Sequence, residues 1–351
     1  MEHNMKTCII AQFPPPIHGL SKAVDTLFNS PLREEFSFSK INLTENRKFL
    51  RNMIRLICNK SDLFYLTLSQ SKMGNLRDLL ILAIVHAKKG KCIVHLHGGY
   101  YRKMVEDELG HWQRRLNYKA ISRVDRAIVL SESLKYIFQG MMPDDKIFVV
   151  QNCVDDVYVA KEQKKSTHQD GRRHILYLSN FIESKGYRDV LQMALLEKSE
   201  EKGYHFDFAG GFPNEDERKY FESFVIENNL QSIVTYHGIV LGSQKIELLR
   251  SSDIFILLTK YPKEGQPISI LEAMGNGMAI ITTAHAGIPD IVSDGLNGIV
   301  VPCEYSVRQI YEKMQLLDIE KIGGVNQKEI MCKYNEQKYI DNMRTVMTFD
   351  C

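Results

Sequence analysis

The chain has 351 residues, 44% of them hydrophobic and 25% charged, with a formal net charge of +2. That length is long for one hydrophobic core and comfortable for two, and the composition is ordinary for a soluble globular protein. The longest apolar run, Leu79 to Val85, is far short of the roughly 20 residues that span a bilayer. Seven cysteines, an odd number with no C-x-x-C pair, argue for a reducing compartment and against a zinc site. The apolar stretch Thr7 to Ala11 near the N-terminus reads as a strand, so no signal peptide is expected. The net charge hides an asymmetry, because residues 1–160 carry 23 Lys+Arg against 16 Asp+Glu and the remainder 22 against 27. A basic first half points to an anionic partner there, such as a phospholipid surface or a lipid-linked pyrophosphate. A solvated mixed surface is the plainer alternative.

In chain order, the first half predicts strands at Thr7–Phe13, Phe36–Leu43, Leu63–Leu68, Lys91–Leu96, Ala127–Leu130 and Ile147–Gln151. Helical periodicity runs over Asn75–Lys88 and Glu106–Ser122. The second half repeats the scheme, with strands at His174–Ser179, Tyr204–Ala209, Ile233–Tyr236, Asp253–Leu258, Ala279–Thr282 and Gly298–Val301. Strands alternating with helices imply parallel sheets wound on both faces. The fold class is therefore α/β, with two Rossmann-like doubly wound domains: 1–160, a linker at 161–173 without an apolar residue, and 174–334. Strand carboxyl ends are then expected to face a shared cleft. Residues 335–351 form a terminal helix expected to pack back on the first domain. The acidic cluster Glu215-Asp216-Glu217 reads as a helix start.

The densest chemistry lies in E-G-Q-P-I-S-I-L-E-A-M-G-N-G, where Glu264 and Glu272 stand eight residues apart. The segment leaves an apolar strand through a Gly/Pro turn and enters a short helix near Pro267. Free N–H groups and the positive dipole end at such a helix start can hold a phosphate, and proline suits the first helical position. Two carboxylates around a phosphate would repel it unless they serve something else, and a vicinal diol is the natural recipient of their hydrogen bonds. The competing reading is an ordinary helix start with one N-terminal acid and one exposed acid.

Further motifs follow one order: P-P-P-I-H-G (14–19), H-L-H-G-G (95–99), V-V-Q-N-C-V-D (149–155), L-Y-L-S-N-F-I-E-S-K-G (176–186), G-I-P-D-I-V (287–292) and D-G-L-N-G (294–298). Together with the two glutamates, these resemble retaining glycosyltransferases of family 4, of the bacterial surface-polysaccharide type, in which the glutamate pair reads E-x7-E. The resemblance spans nearly the whole chain and is strongest from residue 149 onward. It implies the GT-B fold and a nucleoside-diphosphate sugar donor, with UDP the expected nucleotide. It also implies transfer of a hexose or N-acetylhexosamine to a polyprenyl-linked saccharide acceptor in surface-polysaccharide synthesis.

By that resemblance Lys185 neutralises the leaving diphosphate, Glu264 contacts the transferred sugar near its anomeric carbon, and His97 helps shape the sugar site. Glu272 takes the ribose hydroxyls, Ser269 and Ile270 offer backbone N–H groups to the diphosphate, and Gly265 allows close backbone approach. Gly238 to Val240 line the base. Gly19 belongs to a glycine loop after the first strand, although Leu20 stands where many relatives have a second glycine. Asn180 stands where many relatives have an arginine, which places more of the cationic duty on Lys185 or another cation. His95 shares a strand face with His97, so either is a candidate, and the position before the glycines favours His97.

Residues 47–60 mix five cations with six apolar residues. They suit either an interfacial helix on the anionic inner membrane leaflet or a core-packed helix with a basic outer face. No D-x-D dyad occurs in a plausible setting, so no metal is required, and no nucleic-acid partner is expected. The expected location is cytoplasmic, with peripheral contact at the inner membrane face. Two alternatives keep the scaffold: a sugar-nucleotide epimerase, or a non-catalytic subunit of a transferase complex. An NAD-dependent dehydrogenase is disfavoured because G-x-G-x-x-G is missing after the first strand.

Overall fold

The structure, a computed structural model, describes residues 4–15, 19–160, 168 and 170–349. Pro16 to His18 of the P-P-P-I-H-G motif and most of the expected linker lie outside the described residues. The chain divides into two compact units. The first comprises Met1–Asn152, Pro262–Gln266 and Gln337–Cys351, and the second comprises Cys153–Tyr261 and Pro267–Glu336.

In the first unit the elements run β1 (Met5–Ala11), α1 (Gly19–Asn29), β2 (Phe36–Asn42), α2 (Phe49–Cys58), β3 (Leu63–Thr67), α3 (Lys72–Ala87), β4 (Lys91–His95), α4 (Tyr101–Lys103), α5 (His111–Ile121), β5 (Arg126–Val129) and β6 (Ile147–Val149). The strands form one parallel sheet in the order β2-β1-β3-β4-β5-β6. Parallel strands covered on both faces read as unbroken apolar runs; accordingly Cys8 to Ala11 and Leu63 to Tyr65 are fully buried. Ser71 caps α3, its Oγ accepting from the Gly74 N–H at 3.3 Å. The periodicity over Glu106–Ser122 is interrupted: Met104–Glu108 is a π-helical turn, Leu109 and Gly110 are extended, and α5 starts afresh at His111.

Helix α2 packs one face on the core, but its outer face is not only basic. Met53 and Leu56 are buried, but Leu50, Ile54 and Ile57 are 75%, 63% and 58% exposed. Spaced four and three residues apart, they form one stripe on the outer face. Arg51 and Arg55 on the same helix are exposed as well.

The second unit runs β7 (Arg173–Leu178), α6 (Tyr187–Glu200), β8 (Tyr204–Ala209), α7 (Glu215–Glu227), β9 (Val234–Tyr236), α8 (Gly242–Ser251), β10 (Ile254–Leu257), α9 (Ile268–Gly275), β11 (Ala279–Thr283), β12 (Gly298–Val301), α10 (Val307–Met314) and α11 (Ile319–Lys333). Its parallel sheet has the order β12-β11-β10-β7-β8-β9, the doubly wound order of a Rossmann domain. Glu215 opens α7 behind an Asn214 cap, whose Oδ1 accepts from the Glu217 N–H at 2.9 Å. An aromatic cluster around buried Phe181 fills the core below the β7 carboxyl end, with ring centroids 4.3 Å to Phe212, 5.3 Å to Phe221 and 5.4 Å to Tyr236. The last helix, α12 (Glu336–Met347), belongs almost wholly to the first unit.

Candidate functional site

In the second unit the chain winds outward from β7 in one direction and from β10 in the other, so these adjacent strands form the topological switch point. Ligands of open α/β sheets bind outside the carboxyl ends of the strands at such a point. The turn after β7 carries Asn180 and Lys185. Its backbone is fixed by the Tyr177 hydroxyl, which donates to the Asn180 carbonyl at 2.9 Å, and the Asn180 side chain is exposed above it. Glu183–Lys185 makes a single 3-10 turn that ends at Gly186, φ +80°. A Cβ at Gly186 would lie 2.5 Å from the Leu258 carbonyl oxygen, so glycine is needed both for its conformation and for close contact with the end of β10. The Lys260 N–H donates to the Ser184 carbonyl at 2.6 Å. Lys185 Nζ lies 5.2 Å from the Tyr261 ring centroid, which places the ammonium beside the β10 end rather than on a solvated helix start.

Beyond β10 the chain leaves for residues 262–266 and returns as α9 with Pro267 as its extended N-cap. The Ile270 N–H donates to the Pro267 carbonyl at 3.2 Å. Of the two amides singled out in the sequence, Ser269 is therefore the one left to the outward-pointing role of a first-turn donor. Glu272 is not an exposed acid. It is 5% exposed, and its Oε1 lies 2.6 Å from Nζ of Lys245 on α8. Sequence reasoning missed Lys245, because nothing in G-S-Q-K-I-E-L-L-R-S marks one lysine as the partner of an acid 27 residues away. The remaining loops at this sheet end are joined backbone to backbone. Gly210 N–H donates to the Gly238 carbonyl at 2.8 Å, and a Cβ at Gly210 would meet the Ser179 carbonyl oxygen at 1.9 Å. Gly238 has φ +71°, and Val240 beyond it is buried.

In the first unit β1 and β3 form the switch point, and Gly19 opens α1 on the connection after β1. His95 ends β4 and is fully buried, its Nδ1 2.5 Å from the Tyr65 hydroxyl. Burial, aided by neighbouring His97, pushes its pKa well below the usual histidine range and holds it neutral. His97 stacks on it, ring centroids 3.9 Å apart, and is only half-buried. Thus His95 serves the core, and His97, stacked on it, is the less deeply buried of the two rings. The His97-Gly98-Gly99 loop packs directly on residues 263–265. Gly99 N–H donates to the Glu264 carbonyl at 2.6 Å. A Cβ at Gly98 would lie 2.5 Å from the Lys263 carbonyl oxygen, and one at Gly265 would lie 2.7 Å from that of His97. Only paired glycines allow two backbones this close. Asn152 locks the next residue, its N–H donating to Gln266 Oε1 at 2.6 Å and its Nδ2 to the Gln266 carbonyl at 2.9 Å. Glu264 is thereby delivered to the loop that carries His97. Among the described residues, no group of three or more His, Cys, Asp and Glu side chains is placed to hold a metal ion.

The sequence pattern of the glycosyl transferases group 1 matches residues 159–337, half of the chain. The chain belongs to that family. This group 1 member is 24% identical over 165 residues to a putative colanic acid biosynthesis glycosyltransferase, WcaL, of Salmonella typhimurium, a match covering 46% of this chain and 39% of that protein. It is 28% identical over 165 residues to N,N'-diacetylbacillosaminyl-diphospho-undecaprenol alpha-1,3-N-acetylgalactosaminyltransferase of Campylobacter jejuni, covering 46% and 40%. The chain thus spans less than half the length of these curated relatives. Among solved structures, Anabaena HepE in complex with UDP superposes with a TM-score of 0.76 at 13% identity, covering 98% of this chain and 99% of that one. A likeness at that identity shows the fold, which is GT-B.

Proposed function

We propose that this chain is a retaining glycosyltransferase that moves a hexose or N-acetylhexosamine from a UDP-linked donor to a lipid-linked oligosaccharide in surface-polysaccharide synthesis. One observation carries the reading. Lys185 and the amino end of α9 flank the switch point of the second unit, and buried Glu272 lies one turn inside that helix. An ammonium and first-turn amides stabilise the charge that grows on a departing diphosphate. A buried, charge-paired carboxylate is an acceptor suited to a ribose diol. In the first unit His97 and Glu264 contact the transferred sugar, where positive charge develops at the anomeric carbon. The choice of UDP draws support from HepE, crystallised with UDP. The choice of a lipid-linked acceptor draws support from the Campylobacter relative, whose name specifies a diphospho-undecaprenol substrate.

Binding is tested with a thermal-shift panel of UDP, GDP, ADP and TDP. A ligand at a hundredfold excess over Kd stabilises the folded state by about 2.7 kcal/mol, so UDP alone should raise Tm. Product analysis with lipid-extract acceptors should then show transfer with retained anomeric configuration, undiminished by EDTA. Consumption of donor without acceptor would convert the assignment to an epimerase, and no shift with any nucleotide would remove it.

The exposed stripe Leu50, Ile54 and Ile57, with Arg47, Arg51 and Arg55 beside it, supports docking of α2 on the anionic inner leaflet, where the acceptor resides. Apolar side chains enter the acyl boundary while each basic residue contributes about 1 kcal/mol at the headgroups. Replacing the three apolar residues by serine should abolish sedimentation with phosphatidylglycerol vesicles and leave UDP binding intact. Unchanged sedimentation would refute the docking.

A further inference from the structure

Glu272 poses an electrostatic problem that its own helix does not solve. A carboxylate at 5% exposure is costly unless a counter-charge and hydrogen bonds accompany it. It also carries negative charge into the element whose amino end would receive a diphosphate. Lys245 addresses both difficulties. Its Nζ lies 2.6 Å from Glu272 Oε1, with the lysine side chain only 18% exposed, and 4.6 Å from the centroid of the Tyr158 ring. Tyr158 closes the circuit, because Asn276 Nδ2 donates both to the Tyr158 carbonyl and to the Glu272 carbonyl. Three segments are thus tied together: the turn at Asp156–Tyr158, α8 and α9. The pairing with Nζ fixes the orientation of the carboxylate.

We propose that Lys245 is the positioning residue of the ribose site: it aims the Glu272 carboxylate at the 2′,3′-diol and cancels its charge. Lys245 acts through Glu272 and does not itself contact the nucleotide. The proposal rests on the nucleotide-sugar reading above and adds a residue that the E-x7-E pattern does not contain. It also accounts for two acids and a diphosphate sharing one stretch of chain, since one of the acids arrives already neutralised.

The test compares UDP with 2′-deoxy-UDP by calorimetry. The unaltered protein should prefer UDP by about tenfold, the worth of a hydrogen bond to a charged acceptor. Lys245→Met should lower UDP affinity by about tenfold and bring the preference close to one, whereas Lys245→Arg should keep most of it. Because Lys245→Met takes a counter-charge from a buried carboxylate, the isosteric variant Glu272→Gln and the double variant complete a cycle. The double variant should bind UDP no more weakly than Glu272→Gln alone. A preference that survives in Lys245→Met, or losses that simply add in the double variant, would overturn the role of Lys245 while leaving the donor assignment standing. Failure of the unaltered protein to bind UDP would remove the donor assignment itself, and this proposal with it.

Discussion

Glu264 and Glu272 carry the same side chain in different surroundings. Glu272 is buried on α9 and paired with Lys245, whereas Glu264 is half-buried in a segment pressed against Gly98 and Gly99 of the first unit. In the proposed assignment the Glu272 carboxylate makes hydrogen bonds that ligand and transition state share, and their loss raises Kd. Glu272→Ala should therefore weaken UDP binding roughly ten- to hundredfold, at about 1.5–3 kcal/mol for a charge-assisted bond. The proposed place of Glu264 is at the sugar, where charge develops only during transfer, so Glu264→Ala should spare UDP affinity and lower kcat about a hundredfold or more. Calorimetry and a transfer assay on both variants decide the matter, and equal mild effects in both would mean that the roles are misassigned. The turn that carries Glu264 and the helix that carries Glu272 were legible in the sequence because both are local features. Lys245 and Asn152 were not, because each meets its partner only after the chain has folded across 27 and 114 residues.

At the level of elements, β7, β8 and β9 present an array of histidines on one sheet face. Registered pairing sets His174 beside His205 and Asp207 beside Thr235. Asp207 accepts from His174 Nδ1 at 2.6 Å and from His237 Nε2 at 2.7 Å. His205 Nε2 is 2.9 Å from the Thr235 hydroxyl. Asp170 stands 3.4 Å from His174 Nε2, and His168, held by Asp253, stacks on the His174 ring at 4.2 Å. Burial opposes ionisation of Asp207, but the hydrogen bonds from His174 and His237 outweigh it and hold its pKa down at about 2. The bond to Asp207 raises the His174 pKa, against partial burial. The signs then differ. The His174 contribution is complete below the ordinary histidine value near 6.5 and fades as pH rises through its elevated folded value. The Asp207 contribution is complete above the ordinary aspartate value and is lost only as pH falls toward 2. Asp207→Asn should thus cost about 2–3 kcal/mol near pH 6. Chemical denaturation between pH 5 and 9 should show the gap between wild type and variant shrinking above pH 7, and a gap independent of pH would refute this account. Every expected strand formed within two residues of its expected limits, because parallel core strands announce themselves as apolar runs. The outward stripe of α2 did not, since apolar periodicity marks a face without saying what covers it.

At the scale of the whole molecule, the chain order is not the order of the units. Residues 262–266 and the end of the chain group with the first unit, although the second unit lies between them in sequence. The terminal helix contributes Tyr339, Ile340, Met343, Val346 and Met347 as buried side chains. Polar ties to the same unit accompany them. The Tyr339 hydroxyl donates to the Ala23 carbonyl at 3.2 Å, Arg344 Nε pairs with Glu35 at 2.9 Å, and Arg126 donates to the carbonyls of Thr345, Val346 and Thr348. At about 1.5–3 kcal/mol for each large apolar side chain buried, the helix contributes on the order of 10 kcal/mol before entropy, comparable to the net stability of a whole domain. A chain ended after Glu336 should therefore lose or strongly lower the unfolding transition of the first unit. The second unit retains its own core and its switch point, so its transition should persist and should still rise with UDP. Calorimetric scans of the two chains, with and without UDP, separate these outcomes. A single transition moved by only a few degrees would show that α12 is dispensable to the first unit, and loss of the UDP-dependent transition would show that nucleotide binding needs more than the second unit's own residues.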